Sequence, residues 1–220
     1  MPLPEDDLGR HAKNLSHENP GQMTEREYLY IAETIALGHP KSVLVFGMGA
    51  DSALWLQANR GGRTVFFEDS PAWLESTRKA NPAIEAYPVR YRTQRWRWPI
   101  DVLSARHLLP ANFPASVSAT LWDIAIVDGP AAYSASASGR LASIATAMTL
   151  LRRGGFLFLH DYDRRHEKIL ATLLVGRGNL VPGLDRLACF QVGDKSRAAL
   201  LGNYVSTQVR GALHDQEPSQ

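Results

Sequence analysis

Apolar and polar positions along the chain switch repeatedly between two periods. Residues 43–46, Val-Leu-Val-Phe, make a short unbroken apolar run; Gly47 and Gly49 interrupt it, and a helical spacing at Ala53, Leu54, Leu56 and Ala58 follows. This is the pattern of a buried strand turning sharply into a helix. Comparable runs at 63–68, 84–91, 122–128 and 156–160 predict further strands. Helical spacings over 71–80, 140–151 and about 166–174 predict the crossovers, with Arg152, Arg153, Gly154 and Gly155 expected to close the second of these. Upstream, Thr24 and Glu27 form a capping box for a helix whose face is Tyr28, Ile31, Ala32, Ile35 and Ala36, stopped at Gly38 and Pro40. Two late strands are expected near Cys189–Val192 and Ala198–Gly202. Strands apolar on both sides and alternating with helices predict an α/β fold: a Rossmann-like, doubly wound, mostly parallel seven-stranded sheet.

Residues 1–22 carry three prolines, many charges and no sustained periodicity, which predicts a mobile arm, either a disordered tail or a lid over a ligand. Residues 23–210 are then a single domain and 211–220 a C-terminal tail. A chain of 220 residues with 45% hydrophobic and 21% charged positions suits one soluble domain with a full core. The net charge of +2 does not suggest nucleic acid as a partner, so the Trp96-Arg97-Trp98 stretch reads as an amphipathic connector rather than a stacking platform. Cys189, the only cysteine, cannot form an internal disulfide. The acidic start and the lack of an apolar run of spanning length lead us to expect a cytoplasmic protein with no membrane partner.

Parallel sheets bind ligands at the carboxyl ends of their strands, where Gly47, Gly49, Glu68, Tyr91, Asp128, His160 and Asp161 all fall. Glu68 ends the second strand nineteen positions after Gly49, close to the ~20 expected of an acid that accepts from ribose hydroxyls. Two cofactors compete for such a turn. A dinucleotide normally needs a third glycine and an anion-binding helix start. Here Ser52 stands at the third position, and Asp51 brings a negative charge where pyrophosphate would lie. S-adenosylmethionine has no phosphate, and its sulfonium favours carboxylates and aromatic faces. It is the better match, with Phe46, Gly47, Met48, Gly49, Asp51, Ser52, Glu68, Asp69, Tyr91 and Asp128 as candidate binding residues.

Together these stretches resemble a known family. Pro20-Gly-Gln-Met23, residues 46–55, 63–68, 91–94, 122–130, Gly139-Arg140 and 158–164 occur in the order seen in the plant polysaccharide-biosynthesis family that includes glucuronoxylan 4-O-methyltransferases. The resemblance covers about residues 20–170 and implies a class I S-adenosylmethionine-dependent methyltransferase. Two positions depart: Ala50 replaces a usual His, and Ala131 replaces an Arg after the proline, removing a natural partner for a uronate carboxylate. With no membrane anchor expected, the acceptor is taken as a small hydroxylated or sugar-like molecule.

Methyl transfer to oxygen needs an in-line acceptor and a base. Asp128, His160 and Asp161 are the candidates, with His160 or Asp161 as base; alternatively Asp128 and Asp161 hold a divalent metal, as in the catechol-type methyltransferases this arrangement resembles. Asp163 and Arg164 read as a local ion pair. Tyr28, Tyr30, Tyr133 and Tyr162 are candidate substrate contacts, the small residues 131–139 making a flexible loop beside the site. A second reaction suits the same cofactor: cyclisation to azetidine-2-carboxylate with release of methylthioadenosine, or aminocarboxypropyl transfer. Oligomeric state stays open, a homodimer being one option.

Overall fold

A computed structural model describes residues 5–38, 40–104, 108 and 113–193. In chain order they form α1 (Glu5–Glu18), α2 (Glu25–Ala36), β1 (Ser42–Phe46), α3 (Ser52–Ala58), β2 (Arg63–Glu68), α4 (Pro71–Ala80) and β3 (Glu85–Pro88). A 3-10 turn (Arg95–Arg97), α5 (Trp98–Asp101), α6 (Ala115–Ser118), β4 (Trp122–Val127), α7 (Leu141–Leu150), β5 (Leu151–Leu159) and α8 (Arg165–Leu174) follow. A second 3-10 turn (Arg177–Asn179), β6 (Leu180–Leu184) and β7 (Leu187–Gln191) complete the described chain.

The seven strands lie in the order β3-β2-β1-β4-β5-β7-β6. All pairings through β5 are parallel, and β7 runs antiparallel to both of its neighbours. Period-2 alternation builds two cores from one sheet: Leu44, Phe46, Val65 and Phe67 face one side with α7 and α8, while Val43, Val45 and Phe66 face the other with α1, α2 and α3. Burial on both faces is why the strand runs are apolar throughout. The order reverses beside β1, whose carboxyl end meets that of β4; there Asp128 and Gly129 donate backbone N–H bonds to the Phe46 carbonyl at 3.0 and 2.7 Å.

Several elements differ from the sequence expectation. Residues 5–18, expected as a mobile arm, form a helix whose Leu8, Ala12 and Leu15 are buried with α2 and α3, and whose His11 bonds Gln57 at 2.8 Å. The prolines that suggested disorder sit outside this helix, and the spacing of its three apolar residues is helical. Residues 152–155 do not close α7; Leu151 is already extended and paired with Trp122, so the strand begins five residues before Phe156. The register shift between Trp122 and Ile124 lets Gly155 lie where a Cβ would come within 2.8 Å of the Asp123 carbonyl. β6 was not expected, because Pro182 and Gly183 break its run; as the sheet's outer strand it tolerates both. The strand expected at 198–202 and the tail at 211–220 lie outside the described residues.

If α1 is part of the cooperative core, Leu15→Ala should destabilise the protein by about 2–4 kcal/mol in urea denaturation; an unchanged midpoint would show α1 to be independent of the domain.

Candidate functional site

The strand ends bring most of the candidate residues together. Gly47 has φ 103°, and a Cβ there would approach the Gly129 backbone nitrogen to 3.0 Å. The ends of β1 and β4 thus touch backbone to backbone, and both positions need glycine. The loop after Gly47 is folded by its own polar groups. The Gly49 N–H donates to Ser52 Oγ at 3.2 Å, and Met48 N–H to Glu68 Oε2 at 2.7 Å. Glu68 Oε1 accepts from Ser70 N–H at 2.7 Å, so one carboxylate fixes both the glycine loop and the turn after β2. Burial raises the pKa of Glu68 and of its neighbour Asp69. Tyr91, after β3, accepts from Ser143 Oγ at 3.2 Å on α7; burial raises its pKa, and the nearby Asp69 and Glu68 charges push the same way.

A second, denser group lies at the ends of β4 and β5. Asp128 Oδ1 meets His160 Nδ1 at 2.8 Å and Arg140 Nη2 at 3.1 Å. The same Arg140 nitrogen reaches Asp161 Oδ2 at 2.7 Å and the Asp128 carbonyl at 2.8 Å, while Nη1 donates to the His160 carbonyl. Arg140 is buried at the start of α7 and binds all three candidates. Asp161, at φ 59°, is also met by Arg164 at 3.0 Å and Arg186 at 3.5 Å. Arg164 therefore pairs with Asp161, and not with the Asp163 expected as its partner. Burial pushes Asp128 up, but its His160 hydrogen bond and the Arg140 charge outweigh it, leaving the carboxyl below its ordinary value.

An ionised Asp128 can only accept, so the proton of the shared bond sits on His160 Nδ1. The other ring nitrogen, Nε2, has no hydrogen-bond partner among the described residues although His160 is only 2% exposed. Asp51 is pushed up to about 7, first by burial and then by the facing Asp128 charge. Tyr28 stands near the same charges: burial raises its pKa most, with Asp51 and Asp128 adding to the effect.

The remaining tyrosines are not gathered there. Tyr30 packs edge-on to Phe158 at 5.7 Å and donates to the Pro182 carbonyl at 3.4 Å; burial pushes its hydroxyl up to about 12. Tyr162 packs edge-on to Phe190 at 5.8 Å. Tyr133 stands on the 131–139 loop, 84% exposed. Phe46 stacks on Phe67 at 5.6 Å and lends the site its carbonyl rather than its ring.

Sequence reasoning placed Arg140 only in the Gly139-Arg140 stretch and gave it no role in the site, and it missed Arg186. Arg140 had a signal: it is the lone cation at the head of the uncharged stretch Leu141–Leu150. Arg186 had none. Its backbone N–H reaches Glu27 Oε1 at 2.7 Å and its side chain the Gly21 and Gln22 carbonyls at 2.9 and 2.6 Å, contacts that only the fold creates.

The strand order and a ligand turn at its reversal define a class I methyltransferase fold. Solved structures of this fold superpose on the chain. An O-methyltransferase from Bacillus cereus in complex with SAH gives a TM-score of 0.52 at 12% identity over 86% of this chain and 92% of that one. A methyltransferase from Pyrococcus furiosus gives 0.50 at 13% identity over 86% and 98%. The chain belongs to the IRX15/IRX15L/GXM family, whose model matches residues 26–100 and 102–190. It is similar to glucuronoxylan 4-O-methyltransferase 2 of Arabidopsis thaliana, 34% identical over 70% of this chain and 60% of that protein. Arabinogalactan O-methyltransferase 1 of the same plant is 32% identical over 70% and 61%. The chain thus spans about 60% of the length of these relatives.

Truncating Arg140 to Met should leave the buried Asp161 and the half-buried Asp128 without their shared cation. We expect a loss of about 3–5 kcal/mol of folding stability by chemical denaturation, with Arg140→Lys restoring little because one ammonium cannot span the same acceptors. Stability within about 1 kcal/mol of wild type would refute the clamp.

Proposed function

We propose that this chain is an S-adenosylmethionine-dependent O-methyltransferase acting on a sugar hydroxyl of a saccharide. The observation that carries the reading is the Asp128–His160 pair at the carboxyl end of the sheet, which leaves a buried imidazole nitrogen without a partner among the described residues. Family membership supports the cofactor, and the relatives' names replace the small acceptor expected from the sequence with a saccharide.

The residues present fit that cofactor. The glycine loop is held in shape by the Glu68 carboxylate, which at the end of β2 is the acid offered to a ribose, and Asp51, Asp128 and Tyr28 offer negative and aromatic surface to a cation. When bound, S-adenosylmethionine supplies an electrophilic methyl group. His160 Nε2 takes the acceptor hydroxyl's proton, while Asp128 holds Nδ1–H and stabilises the imidazolium that forms. Nε2 is closed to solvent, so it abstracts a proton from a hydroxyl that is brought to it and not from bulk water. Arg140 orients Asp128 and Asp161 around the base.

Asp128, His160 and Asp161 offer ligand atoms within 4.8 Å of one another, the spacing of a metal site. Arg140 Nη2, however, already bridges one oxygen of each carboxylate, and Arg164 and Arg186 add two further cations at Asp161. A dication there would meet three guanidinium groups. This favours the metal-free route, with His160 rather than Asp161 as the base.

Incubation with S-adenosylmethionine separates the reactions. S-adenosylhomocysteine should form only when glucuronoxylan or arabinogalactan is added, and His160→Ala should lower its rate by about 100-fold or more; methylthioadenosine released without acceptor would overturn the proposal in favour of cyclisation. Asp51 supplies a pH test. Because its folded value is raised, ionisation and attraction for the cationic cofactor arrive only as pH rises through about 7. Calorimetric affinity should therefore strengthen from pH 6 to pH 8 and flatten in Asp51→Asn; a flat wild-type profile would remove Asp51 from cofactor recognition.

A further inference from the structure

The described residues hold eight large apolar side chains that face solvent; Trp96 (59% exposed), Ile100 (62%) and Leu103 (79%) stand close together in the chain, and Tyr133 (84%) stands on the loop fastened to Trp96. A patch of this kind marks a binding surface more often than chance. Its two aromatic members come from segments far apart in sequence that are fastened together. Arg95 and Trp96 donate backbone N–H bonds to the Ala137 and Ala135 carbonyls at 2.8 and 3.0 Å, and Thr93 Oγ1 donates to the Ser138 carbonyl at 3.1 Å. Below them Asp101, fully buried, accepts from Gln94 N–H at 3.0 Å and Arg97 Nε at 2.8 Å. The Trp96 indole is itself held by its edge, Nε1 donating to Gln94 Oε1 at 3.0 Å. An exposed ring fixed by its edge keeps its orientation without burying its face.

We infer that Trp96 and Tyr133 form a platform on which the sugar units flanking the methylated residue of a saccharide chain stack. The inference rests on the methyltransferase reading, because Tyr133 stands on the loop that leaves Asp128 and returns at Arg140, and Trp96 is fastened to that loop through the Ala135 carbonyl. Pyranose rings offer flat C–H faces to aromatic surfaces, and their hydroxyls need small polar partners at the ring edges. The loop supplies these: Ser134 and Ser136 Oγ lie 3.2 Å apart beside Tyr133. A nucleic-acid strand could stack on the same rings, but it requires a strongly basic groove, and the chain carries a net charge of only +2. Ile100 and Leu103, farther along the face, are the part a second copy of the chain would cover instead.

Titration of the full-length protein with soluble glucuronoxylan and arabinogalactan tests the platform, with S-adenosylhomocysteine affinity measured in parallel. Trp96→Ala and Tyr133→Ala should each weaken polysaccharide binding about tenfold, the typical loss for one stacking ring, while Trp96→Phe retains most of it. Cofactor-product affinity should stay at the wild-type value in all three. Unchanged polysaccharide affinity in the alanine variants would overturn the inference, as would a wild-type chain that binds neither polysaccharide. Tighter binding of single-stranded DNA than of either polysaccharide, or a loss of self-association in sedimentation without any change in polysaccharide affinity, would likewise reassign the face. Failure of the methyltransferase reading shows separately, as a wild-type chain that does not bind S-adenosylhomocysteine; the ring variants then still decide whether a saccharide binds here.

Discussion

One guanidinium group sets the geometry of the reacting end. Arg140 is buried at the start of α7, and two of its nitrogens reach both side chains and main chain at the ends of β4 and β5. Two carboxylates and a histidine packed this closely would otherwise repel or protonate. With the guanidinium between them, Asp128 stays ionised, the histidine is held in one tautomer, and Asp161 can occupy a backbone conformation that non-glycine residues rarely adopt. A buried ion network of this sort costs desolvation, so its value is in specifying geometry more than in adding stability. The rest of the site leans on it: Tyr91 is tied to Ser143 on the helix that Arg140 begins, and the 131–139 loop is anchored between Asp128 and Arg140.

The glycine loop depends on a different carboxylate. Glu68 holds the glycine loop by its Met48 amide and the following turn by Ser70, so the loop is already shaped before any ligand arrives. The close contact of Gly47 with Gly129 links that loop to the strand carrying Asp128. The glycine loop and His160 are thus joined through Asp128 at the reversal of the sheet.

Most of this architecture was legible in the chain because local signals agreed with the global fold. The capping box at Thr24, the glycine turn, the apolar strands and the proline start of α4 each specified an element that the structure contains. The failures have physical causes. α1 was hidden by flanking prolines and by charges on its outer face; β6 was hidden by Pro182 and Gly183, which an edge strand tolerates. The strand-end acids and His160 could be placed by topology alone. Their arginine partners could not, because Arg164 and Arg186 reach Asp161 through turns whose directions no periodicity records. Tyr30 shows the converse limit: a tyrosine near the site in sequence can spend its hydroxyl on a distant carbonyl at the outer strand.

The β6–β7 turn has a consequence for how the site is made. Arg186 joins the backbone at Gly21 and Gln22 to Asp161, and its own amide closes on Glu27; the contacts to Gly21, Gln22 and Glu27 span 165, 164 and 159 positions of chain. Closing so long a loop is entropically expensive and comes after local structure has formed. During synthesis the glycine turn, Glu68 and even Asp128 would emerge and pair while this tie is still missing. The segment that joins α1 to α2 therefore waits, through most of translation, for the residue that fastens it to Asp161.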